Sequence, residues 1–347
     1  MQLYYFKSKN FGDELNMWMW DRLFGSSLER RPDAYLSGIG TILSDKMPLG
    51  KEWFVFGSGV GYRPKPQDFG GPKWTVLAVR GPLTAEILDI DRKLAVTDSA
   101  ILLAALEECA PMPDSERSGI AFMPHLTVNR FGVYRAACRE LGIDYIDPHA
   151  GSVEIIQQLR RSRLVIADAM HAAIVSDTLR VPWVPVASSN AISSFKWIDW
   201  ASSMDLAYQP QKLPAPSRSQ QMKDSTAFLF GKKFLLSDNS PAAAIRDFRM
   251  RQSLSTNPYF DAYVRGTEAL ARSLRPKRPA PAAGKPKTSP TAPNASPSSG
   301  GPDLTRMVAA LDAASKRRPF LSSDAVFQSR LGAMMDKVEF LKRTLES

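Results

Sequence analysis

The chain has 347 residues, 44% of them hydrophobic, enough to bury the cores of two ordinary domains with further segments to spare. Its net charge of +10 is unevenly spread: residues 1–200 hold 22 Lys and Arg against 23 Asp and Glu, and residues 201–347 hold 23 against 12. The near-neutral first part argues against nucleic acid as the substrate, and the basic second part suits contact with an acidic surface.

The chain begins with a strand-like run, Leu3–Phe6. It lacks the basic start, apolar stretch and cleavage site of a secretion signal. No apolar run reaches the ~18 residues of a spanning helix. Cys109 and Cys138 stand apart with no C-x-x-C spacing, which fits two reduced core residues. These features predict a cytoplasmic enzyme.

Asp13–Phe24 is predicted as helix, and Ala34–Ile39 and Trp53–Phe56 as strands. Thr75–Val79 reads as a buried strand. Pro82 then opens a helix to about Leu88, because a first-turn proline sacrifices no hydrogen bond. Lys93–Val96 is strand-like, and Ser99–Leu106 an apolar helix or turn. A second series follows. Ile120–Met123, Asp144–Ile146, Leu164–Ile166 and Trp183–Val186 read as strands. Helices are expected over Thr127–Leu141 with Gly142 as the stop, Ser152–Arg161 and Met170–Leu179. Strands alternating with helices at this spacing predict an α/β fold with parallel sheets. Two series in tandem predict two Rossmann-like lobes, residues 1–115 and 116–205, with ligands at the carboxyl ends of the strands.

From about residue 206 the pattern changes. Residues 206–274 form a basic, helical extension. Residues 275–302 hold eight prolines and no apolar face, the composition of a disordered linker. Residues 303–347 form a helical tail. In it Phe327, Leu331, Met334, Val338 and Leu341 share one face, fit for its own enzyme, a partner helix or a lipid surface.

Several loops at strand ends hold residues able to carry chemistry. Asn10, Gly12 and Asp13 lie between the first strand and first helix, placed for substrate hydroxyls or for helix capping. Glycine pairs at Gly38 and Gly40 and at Gly57 and Gly59 let a backbone approach an anion or a sugar, or make tight turns. Neither pair completes a dinucleotide fingerprint. Arg80, at a strand end before a helix, suits a carboxylate or phosphate, or a salt bridge with Glu86 or Asp89. His171 begins a helix of small apolar residues, as a proton-transfer group or as a core histidine. His125 and His149 also follow strands, and no two of the three histidines have metal-ligand spacing. In Phe195–Trp200, Lys196 lies among aromatics that suit a sugar face or the packing between lobes.

In this order the segments Asn10–Asn16 (NFGDELN), Ser37–Leu43 (SGIGTIL), Val55–Gly61 (VFGSGVG), Val79–Ala85 (VRGPLTA), Val96–Leu102 (VTDSAIL) and Val165–Val186 resemble the polysaccharide pyruvyl transferase family. The likeness is strongest to its succinoglycan-type members and covers roughly residues 1–205. The resemblance implies a fold like the GT-B glycosyltransferases, phosphoenolpyruvate as donor and a sugar diol as acceptor. The expected product is a cyclic ketal on an exopolysaccharide or other surface-glycan precursor, lipid-linked and met at the inner face of the membrane. No nucleotide cofactor or metal is required, and Mg²⁺ is compatible with the chemistry.

By the same resemblance Arg80 and His171 fall on motif positions that contact the donor. Many members have Arg two residues before the motif histidine. Here that position is Ala169, and Lys196 is expected to replace the missing cation. The candidate catalytic pair is His171 and Asp13. The candidate substrate-binding set is Arg80, Lys196, Asn10, Gly12, Gly59, Asp98 and His125. A nucleotide-sugar glycosyltransferase of the same architecture is the alternative enzyme, and a non-enzymatic glycan-assembly protein the alternative from another class.

Overall fold

The computed structural model describes residues 1–8, 10–229, 231–255, 257–260, 262–263, 265–266 and 302–346. The segment predicted as a disordered linker therefore lies outside the described residues, apart from Pro302, which opens a helix.

Two parallel sheets organise the chain. The first joins β1 (Gln2–Leu3), β2 (Ala34–Ser37), β3 (Glu52–Phe56) and β4 (Trp74–Ala78) in sequence order. Its last two strands stack Trp53 on Trp74, ring centroids 5.5 Å apart. The second joins β5 (Ser118–Met123), β6 (Asp144–Tyr145), β7 (Ser162–Ala167), β8 (Trp183–Ala187) and β9 (Gln211–Lys212) in the order β6-β5-β7-β8-β9. All pairings in both sheets are parallel. The second order reverses at β5 and β7. Crossovers there leave to opposite sides, so a crevice opens at their carboxyl ends, the preferred ligand site of such sheets.

The helices are α1 (Phe11–Leu15), α2 (Met19–Phe24), α3 (Pro82–Leu88), α4 (Gly132–Leu141), α5 (Ser152–Arg161), α6 (Met170–Thr178), α7 (Ser194–Ser203), α8 (Arg218–Thr226) and α9 (Pro241–Ser255). The tail adds α10 (Pro302–Ser315) and α11 (Asp324–Glu346). The short 3₁₀ turn Leu126–Val128 precedes α4, and Gly142 ends α4 in the left-handed region at φ 65°.

Two sequence expectations are corrected. The helix over Asp13–Phe24 is two helices. Asn16 breaks it by bonding the backbone of Ile39 through both ends of its amide, at 3.0 and 3.1 Å. Lys93–Val96 is not a strand of the sheet: Arg92–Leu94 is a 3₁₀ turn capped by Asp91, and only Ala95 bridges to Val79. The apolar helix or turn expected over Ser99–Leu106 is a 3₁₀ helix, Ser99–Ala105, started by the Asp98 carboxylate accepting from the Ala100 amide at 3.0 Å.

The tail belongs to the fold. On α10, Leu304, Met307 and Leu311 pack with Phe122, Val133 and Ala137 in a core of the second sheet. On α11, the predicted face is turned inward: Phe327, Met334, Val338 and Leu341 are buried with the first-sheet core, and Leu331 packs against it. Between them Phe320 exchanges backbone hydrogen bonds with Trp183 of β8, and their rings stack at 5.4 Å. Buried Asp177 accepts from the Ser322 amide and hydroxyl at 2.9 and 2.5 Å. The apolar face that sequence offered to a lipid or partner is thus occupied by the chain itself. Among the described residues, no helix is long and apolar enough to cross a membrane.

Candidate active site between the two sheets

The carboxyl ends of both sheets face one cavity of about 300 Å³. From the first sheet it receives Asn10 and Asp13 after β1, Thr41 after β2, and Tyr62 and Arg63 after β3. From the second it receives His125 after β5 and Ala169 and His171 after β7, the two strands at the reversal. Lys196 and Trp197 of α7 complete the wall.

His171 is held tightly. A methyl group on Gly12 would lie 2.0 Å from His171 Nδ1, so only glycine admits the imidazole at this point. On the other side His171 Nε2 lies 3.9 Å from Asp98 Oδ2. That is too far for a hydrogen bond, and both buried atoms lack a hydrogen-bond partner. Such orphans are costly in a native interior. Burial, with the nearby charges of Lys196 and Arg80, pushes the His171 pKa down to about 3. Burial pushes Asp98 up to about 6, against the Ala100 amide bond and the Arg80 charge.

Asp13 is buried and accepts from Ser8 Oγ at 2.5 Å and Asn10 Nδ2 at 3.3 Å. Burial raises its pKa, although these bonds and the Lys196 charge oppose the shift. Asn10 thus bonds the carboxylate through its side chain and starts α1 through its carbonyl. Lys196 Nζ stands 4.8 Å over the Tyr62 ring. Its charge is felt by Asp13, His125 and His171 alike, which places it centrally.

His125 stands at the cavity with Nδ1 2.9 Å from Thr127 Oγ1. Burial, helped by Lys196, lowers its pKa to about 4. Its amide donates to buried Asp168 at 2.7 Å, and Asp168 also accepts from the Ser188 amide and hydroxyl. Asp168 therefore ties the ends of β5 and β8 to its own position after β7.

Arg80 is fully buried and does not line the cavity. It donates to Asp199 Oδ2 at 3.0 Å, Thr41 Oγ1 at 2.8 Å and the Val60 carbonyl at 2.7 Å. Its acidic partner is Asp199, 119 residues away, rather than Glu86 or Asp89. Asp199 also accepts from the Thr84 amide and hydroxyl. Gly59 packs on the guanidinium, where a methyl group would lie 2.6 Å away. Arg80 thus reaches the cavity only through Thr41. His149 is not among the cavity residues; its amide donates to Asp147 Oδ1 at 3.0 Å.

The structure therefore gathers His171, Asp13, Asn10, Lys196 and His125 around one space, with Gly12 and Asp98 directly behind His171. It sets Arg80 and Gly59 in the wall. Sequence reasoning missed Thr41, Tyr62 and Arg63. Each follows a glycine-rich strand end, and that adjacency was the available signal. Ala169, standing where many relatives have arginine, lines the same cavity as Lys196. Among the described residues no group of three His, Cys, Asp or Glu is placed to hold a metal ion.

An α/β protein whose two parallel sheets bring polar side chains at their strand ends to one cavity has the layout of many α/β enzymes. Comparison with known proteins specifies the class. Residues 35–190 match the family model for polysaccharide pyruvyl transferase. Over 245 residues the chain is 36% identical to the succinoglycan biosynthesis protein ExoV of Rhizobium meliloti (strain 1021), covering 70% of this chain and 76% of that protein. The chain belongs to the polysaccharide pyruvyl transferase family and is a transferase enzyme. No solved structure matches it.

Proposed function

We propose that this enzyme transfers pyruvate from phosphoenolpyruvate to a sugar diol of an exopolysaccharide precursor, forming a cyclic ketal and releasing phosphate. The observation that carries the reading is the convergence of the Lys196 ammonium, the His171 imidazole and the Asp13 carboxyl on a single cavity. A small dianion finds its counter-charge in Lys196, with Arg63 at the same wall. Donors on Thr41 and His125 are available to its remaining oxygens. The GT-B-like description belongs to the same proposal. Two parallel sheets with their carboxyl ends on one cavity support it.

His171 is neutral in the empty cavity, since two cations and burial oppose its charge. Binding of the donor reverses that balance, because an opposite charge nearby favours the imidazolium. In the proposed reaction the imidazolium gives its proton to the methylene carbon, leaving a cationic centre at C2. A sugar hydroxyl forms the first C–O bond there and loses its proton to Asp13. The neighbouring hydroxyl then displaces the phosphate, closing the ring; its proton leaves with the phosphate, and the proton taken by Asp13 makes good the one His171 gave. Alignment of the diol supplies much of the rate as effective molarity. Asp98 lies 3.9 Å from Nε2, where a small closing movement on substrate binding would let it accept from a protonated ring.

The test is thermal unfolding with phosphoenolpyruvate or UDP, followed by phosphate release with candidate acceptors. A ligand that binds only the folded state raises its apparent stability. An upward shift with phosphoenolpyruvate alone, lost in Lys196→Ala, is expected. A shift with UDP alone would overturn the reading in favour of a nucleotide-sugar donor.

A further inference from the structure

We infer that the amino end of α7 is the phosphate subsite of this cavity: the Ser193 hydroxyl, the Phe195 and Lys196 amides and the Lys196 ammonium hold the donor's phosphoryl group. The subsite rests on the transfer reading above and fixes which way round the donor lies.

α7 starts in the loop after β8, the neighbour of β7 in the second sheet. Its first turn is at the cavity, where Ser193, Lys196 and Trp197 form part of the wall. A helix of ten residues presents unbonded amides and the positive end of its dipole at that point, which suits an anion.

Two adjacent serines there have different fates. Ser194 is used by the fold. Its amide donates to the Phe234 carbonyl at 3.1 Å, and its Oγ accepts from the Leu236 amide at 3.0 Å. Ser193 is not. It stands at the N-cap, where a serine oxygen ordinarily accepts from the second or third amide of the helix. It makes no such bond. Only 2% of the residue is exposed, and its Oγ has no hydrogen-bond partner. A buried hydroxyl left so is costly. A phosphoryl oxygen would take its proton as a hydrogen bond and, beside it, the Phe195 and Lys196 amides that Ser193 leaves uncapped.

Lys196 brings full charge to the same turn. Its stem passes Gly61, where a methyl group would lie 3.0 Å from Cγ, and its Nζ stands over Tyr62 at the cavity. The acid of this helix, Asp199, points elsewhere, to Arg80 and Thr84. Hydroxyl, amides and ammonium therefore belong to one turn of one helix, with no carboxylate of that helix to compete.

The experiment is calorimetric titration of the full chain with phosphoenolpyruvate and with inorganic phosphate. Wild type should bind both, each excluding the other. Ser193→Ala removes one hydrogen bond to a charged group and should weaken both ligands by about tenfold to a hundredfold, with the unliganded thermal midpoint little changed. Ser193→Asp supplies a helix cap as good as serine but sets a negative charge against the phosphate, and should abolish binding of both. A serine that only capped the helix would give the reverse pattern, a lowered midpoint in Ser193→Ala and wild-type binding in Ser193→Asp. Phosphoenolpyruvate bound equally by wild type and Ser193→Ala would overturn the subsite and leave the transfer reading standing. No binding of phosphoenolpyruvate to wild type would overturn both.

Discussion

Two buried polar clusters lie a few residues apart in this protein, and they differ in one respect. In the wall, Arg80, Asp199, Thr84 and Thr41 satisfy one another with bonds of 2.5 to 3.0 Å. In the floor, His171 Nε2 and Asp98 Oδ2 face each other at 3.9 Å with no hydrogen-bond partner. A closed network ties α7 to the end of β4 and the start of α3. An open one leaves hydrogen-bonding capacity unused, which suits the proposed role of His171 in proton transfer.

The contrast makes separable predictions. The largest effect belongs to the floor. His171→Ala or Lys196→Ala should lower turnover by about 10³-fold or more with the thermal midpoint near pH 7.5 little changed. A stability loss equal to that of the wall variants would erase the distinction. In the wall, Arg80→Ala strands the Asp199 carboxylate in the interior and should cost about 3–5 kcal/mol, read by denaturant unfolding. Its activity loss should follow the loss of folded protein.

Gly12→Ala sharpens the comparison because it moves the imidazole without altering any charge. The added methyl group would collide with Nδ1. A displacement of about 1 Å costs about 10² in kcat, and the midpoint should fall only slightly.

The smallest effect concerns Asp98. Its folded pKa of about 6 lies above the ordinary 3.8. Between those values the folded state holds a proton that the unfolded state has lost, so ionisation above pH 6 weighs against folding. Asp98→Asn should therefore be more stable than wild type, by on the order of 3 kcal/mol above pH 6, and less so towards pH 4. His171, with its pKa lowered to about 3, works in the opposite sense. Its burial destabilises the fold as pH falls below 6.5, where the unfolded imidazole takes a proton first. Unfolding of Asp98→Asn and His171→Ala across pH 3–7 should give difference curves of opposite slope.

The strands and helices around the site were legible because they have local causes. Alternating apolar runs announced the parallel sheets, Ser152–Arg161 was bounded correctly as α5, and Gly142 marked the end of α4. The inward face of α11 was visible as helical spacing. The partnerships were not. Nothing near Arg80 points to Asp199, and Asn16 breaks a helix by reaching Ile39, 23 residues away. The 3₁₀ form of Ser99–Ala105 likewise depends on a capping bond that spacing alone does not reveal. Such pairings leave no periodic trace, so sequence located the loops of the site without dividing wall from floor.

The placement of α11 has a consequence for how the molecule is made. The first sheet is finished by Ala78, yet Phe327, Met334, Val338 and Leu341 are part of the core beside it. On the ribosome those residues follow by about 250 positions, tens of seconds at ordinary elongation rates. The first-made sheet must therefore wait with part of its apolar core uncovered until the end of translation. A chain that stops before α11 would expose that patch for good, making it a target for chaperones and proteases rather than a shorter enzyme.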